Sequence, residues 1–273
     1  MKGICAISII VGVLILGSVG LMQQASASSV TVFTTDFNSG APIEFSGITT
    51  TEGVQDFDTI GPFAGDFLRN TSGDGLPPAS GSGYPVPVQP TILTLTDLPS
   101  HDSIDVNFLL AIIDTWDGTA TSCAIENGPD VFNVTVDGAS IFSHTFDNTG
   151  LCGVQTYTPP SGVELARKIN LGFLSGTGCC GPDSAYDMGA DSTFDSITHT
   201  SNTLTIEWFT DVRFTGDGDE SWAIDNVEVI LNGVISEPPE PEKNNPCDAL
   251  DKASENGKGK KKGLERAKAN NNC

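Results

Sequence analysis

Ser103-Ile-Asp-Val-Asn-Phe-Leu-Leu-Ala-Ile-Ile113 begins by alternating polar and apolar residues and ends in an unbroken apolar run from Phe108. Alternation suits a strand with one wet face, whereas six consecutive apolar residues need cover on both sides. The segment predicts a central strand whose second half is buried from two directions. Thr203-Leu-Thr-Ile-Glu-Trp208 shows the complementary pattern, with Leu204, Ile206 and Trp208 inward and Thr203, Thr205 and Glu207 outward. That is a strand of a sheet with one solvated face.

Other short runs of the same kind flank these two. They predict strands at 30–34, 91–96, 130–137, 140–146, 163–173, 193–198, 203–212 and 222–231, separated by Gly/Pro/Asp/Ser clusters. Phe132, Val134 and Val136 alternate up to Asp137-Gly138, and Phe142 and Phe146 continue on the return strand. Asp-Gly supplies the positive φ of a tight hairpin turn. About nine strands with long irregular connections predict an all-β fold, a jelly-roll two-sheet β-sandwich. The absence of an internal repeat argues against a solenoid.

The sandwich is expected over residues 28–236. Before it, Lys2, an apolar stretch from Gly3 to Met22 and the small residues Ala25-Ser-Ala27 have the form of a secretory signal peptide covering residues 1–27. An uncleaved membrane anchor is the competing reading. After it, residues 237–246 form a Pro/Glu linker, and 247–273 a basic tail, either two short helices or an irregular segment. The mature chain is expected to be secreted, extracellular or at the cell surface, with no membrane span.

The chain has 273 residues and a net charge of −22. Between Ser29 and Ser236 there are 28 acidic residues against Arg69, Arg167, Lys168 and Arg213 alone. A field of that sign excludes nucleic acid and anionic membrane surfaces as partners. Six cysteines follow the signal, and an even number in an exported chain reads as disulfides. Cys247 and Cys273 bracket the tail and are expected to pair. Cys123, Cys152, Cys179 and Cys180 give two further cross-links whose pairing stays open. Zinc is a weak alternative, because Cys179-Cys180 has the wrong spacing for it.

Chemistry is sought where acidic residues cluster at strand ends. No nucleophile elbow, zinc-protease helix or phosphate loop occurs. Asp114-Thr-Trp-Asp117-Gly118 follows the buried strand and is joined by Asp130; Asp183 and Asp187 form a second group; Asp217 and Asp219 precede the last strand. Hard oxygen ligands on Gly-rich loops suit Ca²⁺, while the plain alternative is an acidic solvated surface. Asp225 stands apart. In Ser221-Trp-Ala-Ile-Asp-Asn-Val-Glu-Val229 it is in phase with Ala223, Val227 and Val229, so its carboxylate points inward if those valines do. Trp222 and Ile224 occupy the opposite phase, so a bulge must displace one set or leave it exposed.

The segments 219–229, 113–118 and 183–187, with Phe33-Thr-Thr-Asp-Phe-Asn38, resemble secreted prokaryotic jelly-roll domains. Those domains occur in PEP-CTERM-associated cell-surface proteins and are similar in plan to carbohydrate-binding modules. The resemblance implies a structural calcium shared by an acidic residue near the first strand and the Asp of the last, here Asp36 and Asp225. One departure is that this chain ends in a charged tail rather than an anchor helix. Sugar recognition needs exposed aromatic platforms, for which Trp116, Trp222, Tyr84, Tyr157 and Tyr186 are the candidates, although both tryptophans have an alternative role as cover for calcium loops. Trp208, in phase with core residues, is expected to be buried.

The function expected is a secreted, calcium-stabilised, non-catalytic β-sandwich that binds carbohydrate or serves in the cell surface or extracellular matrix, its partner a glycan or surface polymer. The alternatives are a glycan hydrolase or lyase on the same fold, and a purely structural subunit. Oligomeric state is open.

Overall fold

Among the described residues thirteen strands, all paired antiparallel, make two sheets. The computed structural model describes residues 27–70, 89–119, 129–150, 153–173, 181–210 and 220–235. The strands are β1 Ala27–Thr35, β2 Phe45–Ser46, β3 Thr49–Gly53, β4 Asp66–Asn70, β5 Thr91–Leu95, β6 Ser103–Ile113, β7 Val131–Val136, β8 Ala139–Thr145, β9 Glu164–Ile169, β10 Asp183–Asp187, β11 Ile197–Thr198, β12 Leu204–Thr210 and β13 Ser221–Ile235. The large sheet runs β3-β4-β13-β6-β10-β9, with β1 also paired to β13 and β11 to β6; the small sheet runs β2-β5-β12-β7-β8. This is the expected all-β sandwich.

The central strand is β6, over the residues its pattern predicts. Phe108, Leu110 and Ile112 enter the core between the sheets, where they meet Leu93, Val134 and Trp208 from the small sheet. Leu109, Ala111 and Ile113 point the other way into a second apolar cluster with Val54, Phe57, Phe63 and Phe67. That cluster explains the unbroken run: segment 54–65 lies over the outer face of the large sheet. Ala185, Ala111 and Ala223 stand in register across β10, β6 and β13, so this face is shallow enough to receive the phenylalanine rings. In β12 the burial alternates as its sequence does, and Trp208 is buried. The hairpin turn has Asp137 at φ 49° and Gly138 at φ 77°, both left-handed as a two-residue turn requires.

Several sequence expectations change. The run 193–198 is a 3₁₀ turn, Ser192–Phe194, followed by the two-residue β11, because the Asp191 carboxylate accepts from the Thr193 amide and caps the turn. The strand at 163–173 contracts to β9. Strands β2, β3 and β4 had no alternation long enough to announce them. Asp183–Asp187 is not an acidic loop but the interior strand β10, four of its five residues buried. Its flanking carboxylates resemble a loop in sequence, whereas Ala185 and Tyr186 make it a strand.

The phase conflict in β13 is resolved by a bulge between Asp225 and Glu228, with Asn226 at φ 49°. Trp222 and Ile224 before it and Val227, Val229 and Leu231 after it all face the core between the sheets. Asp225 therefore shares the outer face with Ala223, not the face of the valines. It is still buried, but beneath segment 54–65.

Candidate metal centre

Three segments converge at the β13 bulge. Asp225 has no solvent exposure. Its Oδ1 accepts from the Asn226 amide at 2.7 Å and its Oδ2 from the Ala64 amide at 3.4 Å. The Asn226 side chain donates to the Pro62 carbonyl at 2.8 Å, tying the bulge to the covering segment. From the end of β1 comes the turn Asp36-Phe37-Asn38. Phe37 is fully buried at φ 54°, packed edge-on against Phe45 at 5.3 Å, and this anchors the exposed residues on either side of it.

Asn38 is the clamp of the site. Its backbone and side-chain N–H groups donate to the Asp36 carboxylate, and its Oδ1 accepts from the Asp66 amide at 2.8 Å. These donors hold the Asp36 carboxyl below the usual carboxylate range. The approach is so close that a Cβ on Gly65, at φ 72°, would lie 1.8 Å from Asn38 Oδ1. Only glycine fits there.

The electrostatics are lopsided. Burial pushes the Asp225 carboxyl up to about 7, against the pull of its two backbone donors, and the negative charges of Asp36 and Asp66 push it further in the same direction. An open pocket of about 490 Å³, lined by Thr34, Thr35, Asp36, Asn226 and Glu228, lies alongside. Carboxylate oxygens brought from separate segments are the kind of donor that a hard divalent cation takes. Among the described residues no three His, Cys, Asp or Glu side chains are already drawn together around a metal-sized space. Asp36 and Asp66 act on Asp225 as neighbouring negative charges.

The other candidates assemble elsewhere. Asp183 Oδ1 accepts from the Asp114 amide at 3.1 Å and Oδ2 from the Leu171 amide at 2.8 Å. Burial raises its pKa, while those amides, the Arg69 charge and the Phe173 amide oppose the rise. Asp130 accepts from the Asp117 amide, and Asp117 in turn accepts from the Thr149 hydroxyl at 2.8 Å. Asp147 accepts from the Gly150 amide and pairs with Lys168 Nζ at 2.9 Å. Asn148 donates to the carbonyls of Ile112 and Asp114 and accepts from Ser184. Here the carboxylates stitch loops together through backbone amides. Asp187 sits at the far end of β10, opposite Leu109, and does not join Asp183. Asp217, Asp219, Tyr84 and all seven cysteines lie outside the described residues.

The aromatic platforms require correction. Trp116, Trp222 and Tyr186 are 0%, 1% and 0% exposed. Trp116 Nε1 donates to the Ser221 carbonyl at 2.9 Å, Trp222 packs on Phe132 at 5.1 Å, and Tyr186 packs on Phe146 at 5.1 Å. They are core side chains: β13 and β10 turn Trp222 and Tyr186 between the sheets, and the loop after β6 carries Trp116 into the same cluster. Sequence reasoning also missed Asn38, Asp66, Asn226, Asp147 and Asn148. Gly65-Asp66 before Phe-Leu-Arg69 was the one visible cue, a glycine and a carboxylate opening a short apolar run.

No family model matches the chain, and no curated protein sequence is similar to it. Among solved structures it is similar to a cycloisomaltooligosaccharide glucanotransferase from Paenibacillus sp. complexed with cycloisomaltoheptaose. That match has 11% identity and a TM-score of 0.30, over 71% of this chain and 18% of that one. Dimeric latent PorU from Porphyromonas gingivalis is similar at 16% identity and a TM-score of 0.30, over 71% of this chain and 13% of that one. The chain thus spans less than a fifth of either protein. Superpositions this loose say nothing of activity, and the sandwich rests on its own strand pairing. Among the described residues no helix is long and apolar enough to cross a membrane.

Proposed function

We propose that the chain is an exported, calcium-stabilised, non-catalytic β-sandwich of the cell surface or extracellular matrix. The observation that carries this reading is Asp225, a fully buried carboxylate with two carboxylates as its charged neighbours. A buried anion without a counter-charge costs several kcal/mol or binds a proton. Ca²⁺ at Asp225, Asp36 and Asp66 would supply that counter-charge and join β1, segment 62–66 and β13. The non-catalytic role is supported by the use of the carboxylates: Asp130, Asp183 and Asp191 each accept loop amides and so hold backbone in place.

A matrix role is better supported than sugar binding through stacked rings. All three tryptophans, Tyr157 and Tyr186 are buried. The test is metal analysis of the purified full chain with thermal melting in calcium and in chelator. Calcium in the protein and a lower midpoint in chelator are expected; no calcium and an unchanged midpoint would overturn the reading.

A further inference from the structure

Beside the β13 bulge, the open pocket of about 490 Å³ is lined by Thr34, Thr35, Asp36, Asn226 and Glu228. Its volume is that of a small-ligand site. Of these residues only Asp36 belongs to the calcium seat proposed above.

Glu228 is the fixed point of the lining. It stands directly across from Thr34 in the pairing of β1 with β13. Its Oε1 accepts from the Thr31 hydroxyl at 3.0 Å and its Oε2 from the Asn107 side-chain amide at 3.1 Å. The carboxylate is thus held by β1 and β6 on either side of β13, and each oxygen can accept a further bond.

The donors of the lining are directed inward. The Asn226 amide nitrogen bonds to the Pro62 carbonyl at 2.8 Å, which leaves its Oδ1 as an acceptor. The Thr35 hydroxyl oxygen accepts from the Phe37 amide at 3.2 Å, and the Asp36 carboxylate from both N–H groups of Asn38. Apart from the Asn226 nitrogen, every polar side-chain atom of these five residues is an oxygen, and two of the five are anions. The lining contains no cation. The Arg and Lys side chains among the described residues lie elsewhere: Arg69 on Glu52, Arg167 by Glu164 and Lys168 on Asp147.

A ligand for this pocket must therefore bring donors and positive charge. A lysine side chain is a poor match, since its four-carbon stem finds no aromatic or long aliphatic wall in the lining. An ammonium carried on a ring of hydroxyl groups meets both needs. The charge faces Glu228 and Asp36, and the hydroxyls face Asn226 and the two threonines. The polar face also continues along β13: Asn232 donates to Asp105 at 2.8 Å and accepts from the Ser29 hydroxyl at 2.7 Å. A polymer seated in the pocket would meet these side chains next.

We propose that the pocket binds an amino sugar with a free amine, as one unit of a surface or matrix polysaccharide. This names a partner for the reading above and rests on it only for the place where such a polymer is met.

The test uses the full chain at about pH 6, where a free amine is protonated. Calcium is constant and saturating, and salt at about 0.15 M screens diffuse attraction to the acidic surface. Amide NMR shifts are followed on adding a short glucosamine oligomer. Its N-acetylated counterpart keeps the hydroxyls without the charge, and a short lysine peptide keeps the charge without the hydroxyls. Expected are saturable shifts centred on Thr34, Asn226 and Glu228 with the glucosamine oligomer, and at least about tenfold weaker binding of the other two. E228Q should bind about tenfold more weakly. T34K, which brings a cation into the pocket from an exposed position, should abolish the shifts. Equal binding of either control, or shifts spread over the acidic surface that T34K leaves unchanged, would overturn the proposal. Melting of the wild type and both variants shows whether they fold. Its dependence on calcium reads the metal separately, so either claim can fail while the other stands.

Discussion

Two of the places where the described residues bury carboxylates are treated differently. Around Asp183, the chain supplies its own compensation: the amides of Asp114 and Leu171, the charge of Arg69 and, nearby, Lys168 on Asp147. Around Asp225 there are two backbone donors and, as charged neighbours, two more anions. With so few basic residues, the domain has cations for one buried acidic site and not for both. The first is a structural knot. The second is the site proposed above to take calcium.

The comparison breaks most readily at Asp183. In D183A the amides of Asp114 and Leu171 lose their acceptor inside the protein, at about 1–3 kcal/mol each. A loss of about 3 kcal/mol or more is expected in urea denaturation, equal in calcium and in chelator. A loss that calcium reverses would make this a metal site and erase the distinction.

At Asp225 the dependence should be reversed. Calcium at a hundred times its Kd stabilises the wild type by about 2.7 kcal/mol, whereas D225N should gain nothing from it. In chelator D225N removes a buried charge but turns an NH2 toward the Asn226 or Ala64 amide, so its stability should stay within about 1–3 kcal/mol of the wild type. A D225N midpoint that still rises with calcium would place the ion elsewhere.

Acidity sharpens the contrast further. The folded, metal-free Asp225 carboxyl stands at about 7, above its unfolded value, so its own contribution is full in acid and fades as pH rises through 7. Calcium needs the ionised form and must displace that proton at lower pH. The calcium-dependent gain should be full above pH 7 and shrink by up to about 1.4 kcal/mol per unit below it. Paired melts at about pH 8 and about pH 6 measure this; an increment that grows in acid would contradict it.

The smallest effect belongs to the Lys168–Asp147 pair. Lys168 is one-third exposed, so K168M should cost about 1 kcal/mol or less and lose its effect in high salt, with calcium making no difference.

Much of this was legible in the chain. The run Phe108–Ile113 announced a strand covered on both faces, and Leu204, Ile206 and Trp208 fixed the phase of β12, because side chains on a strand alternate whatever lies opposite. The Asp137-Gly138 turn was equally local. Asp225 could be singled out as a carboxylate among core residues, but its face could not, since the bulge at Asn226 reverses the alternation and leaves no mark in spacing. Asp183–Asp187 was misread because acidic residues signal solvent only when nothing distant neutralises them. The tryptophans were misassigned for a related reason: an aromatic beside Asp and Gly looks exposed until the opposite sheet is in place.

The sequence alone determined an all-β chain, its central strand, its tightest hairpin and its shortage of cations, since these follow from neighbours and from composition. Only the tertiary structure decided which carboxylates meet. Asp225 and its donor Ala64 are 161 residues apart, and no local pattern carries that pairing. It comes from segment 54–65 folding over the large sheet to cover a face too apolar to leave in water.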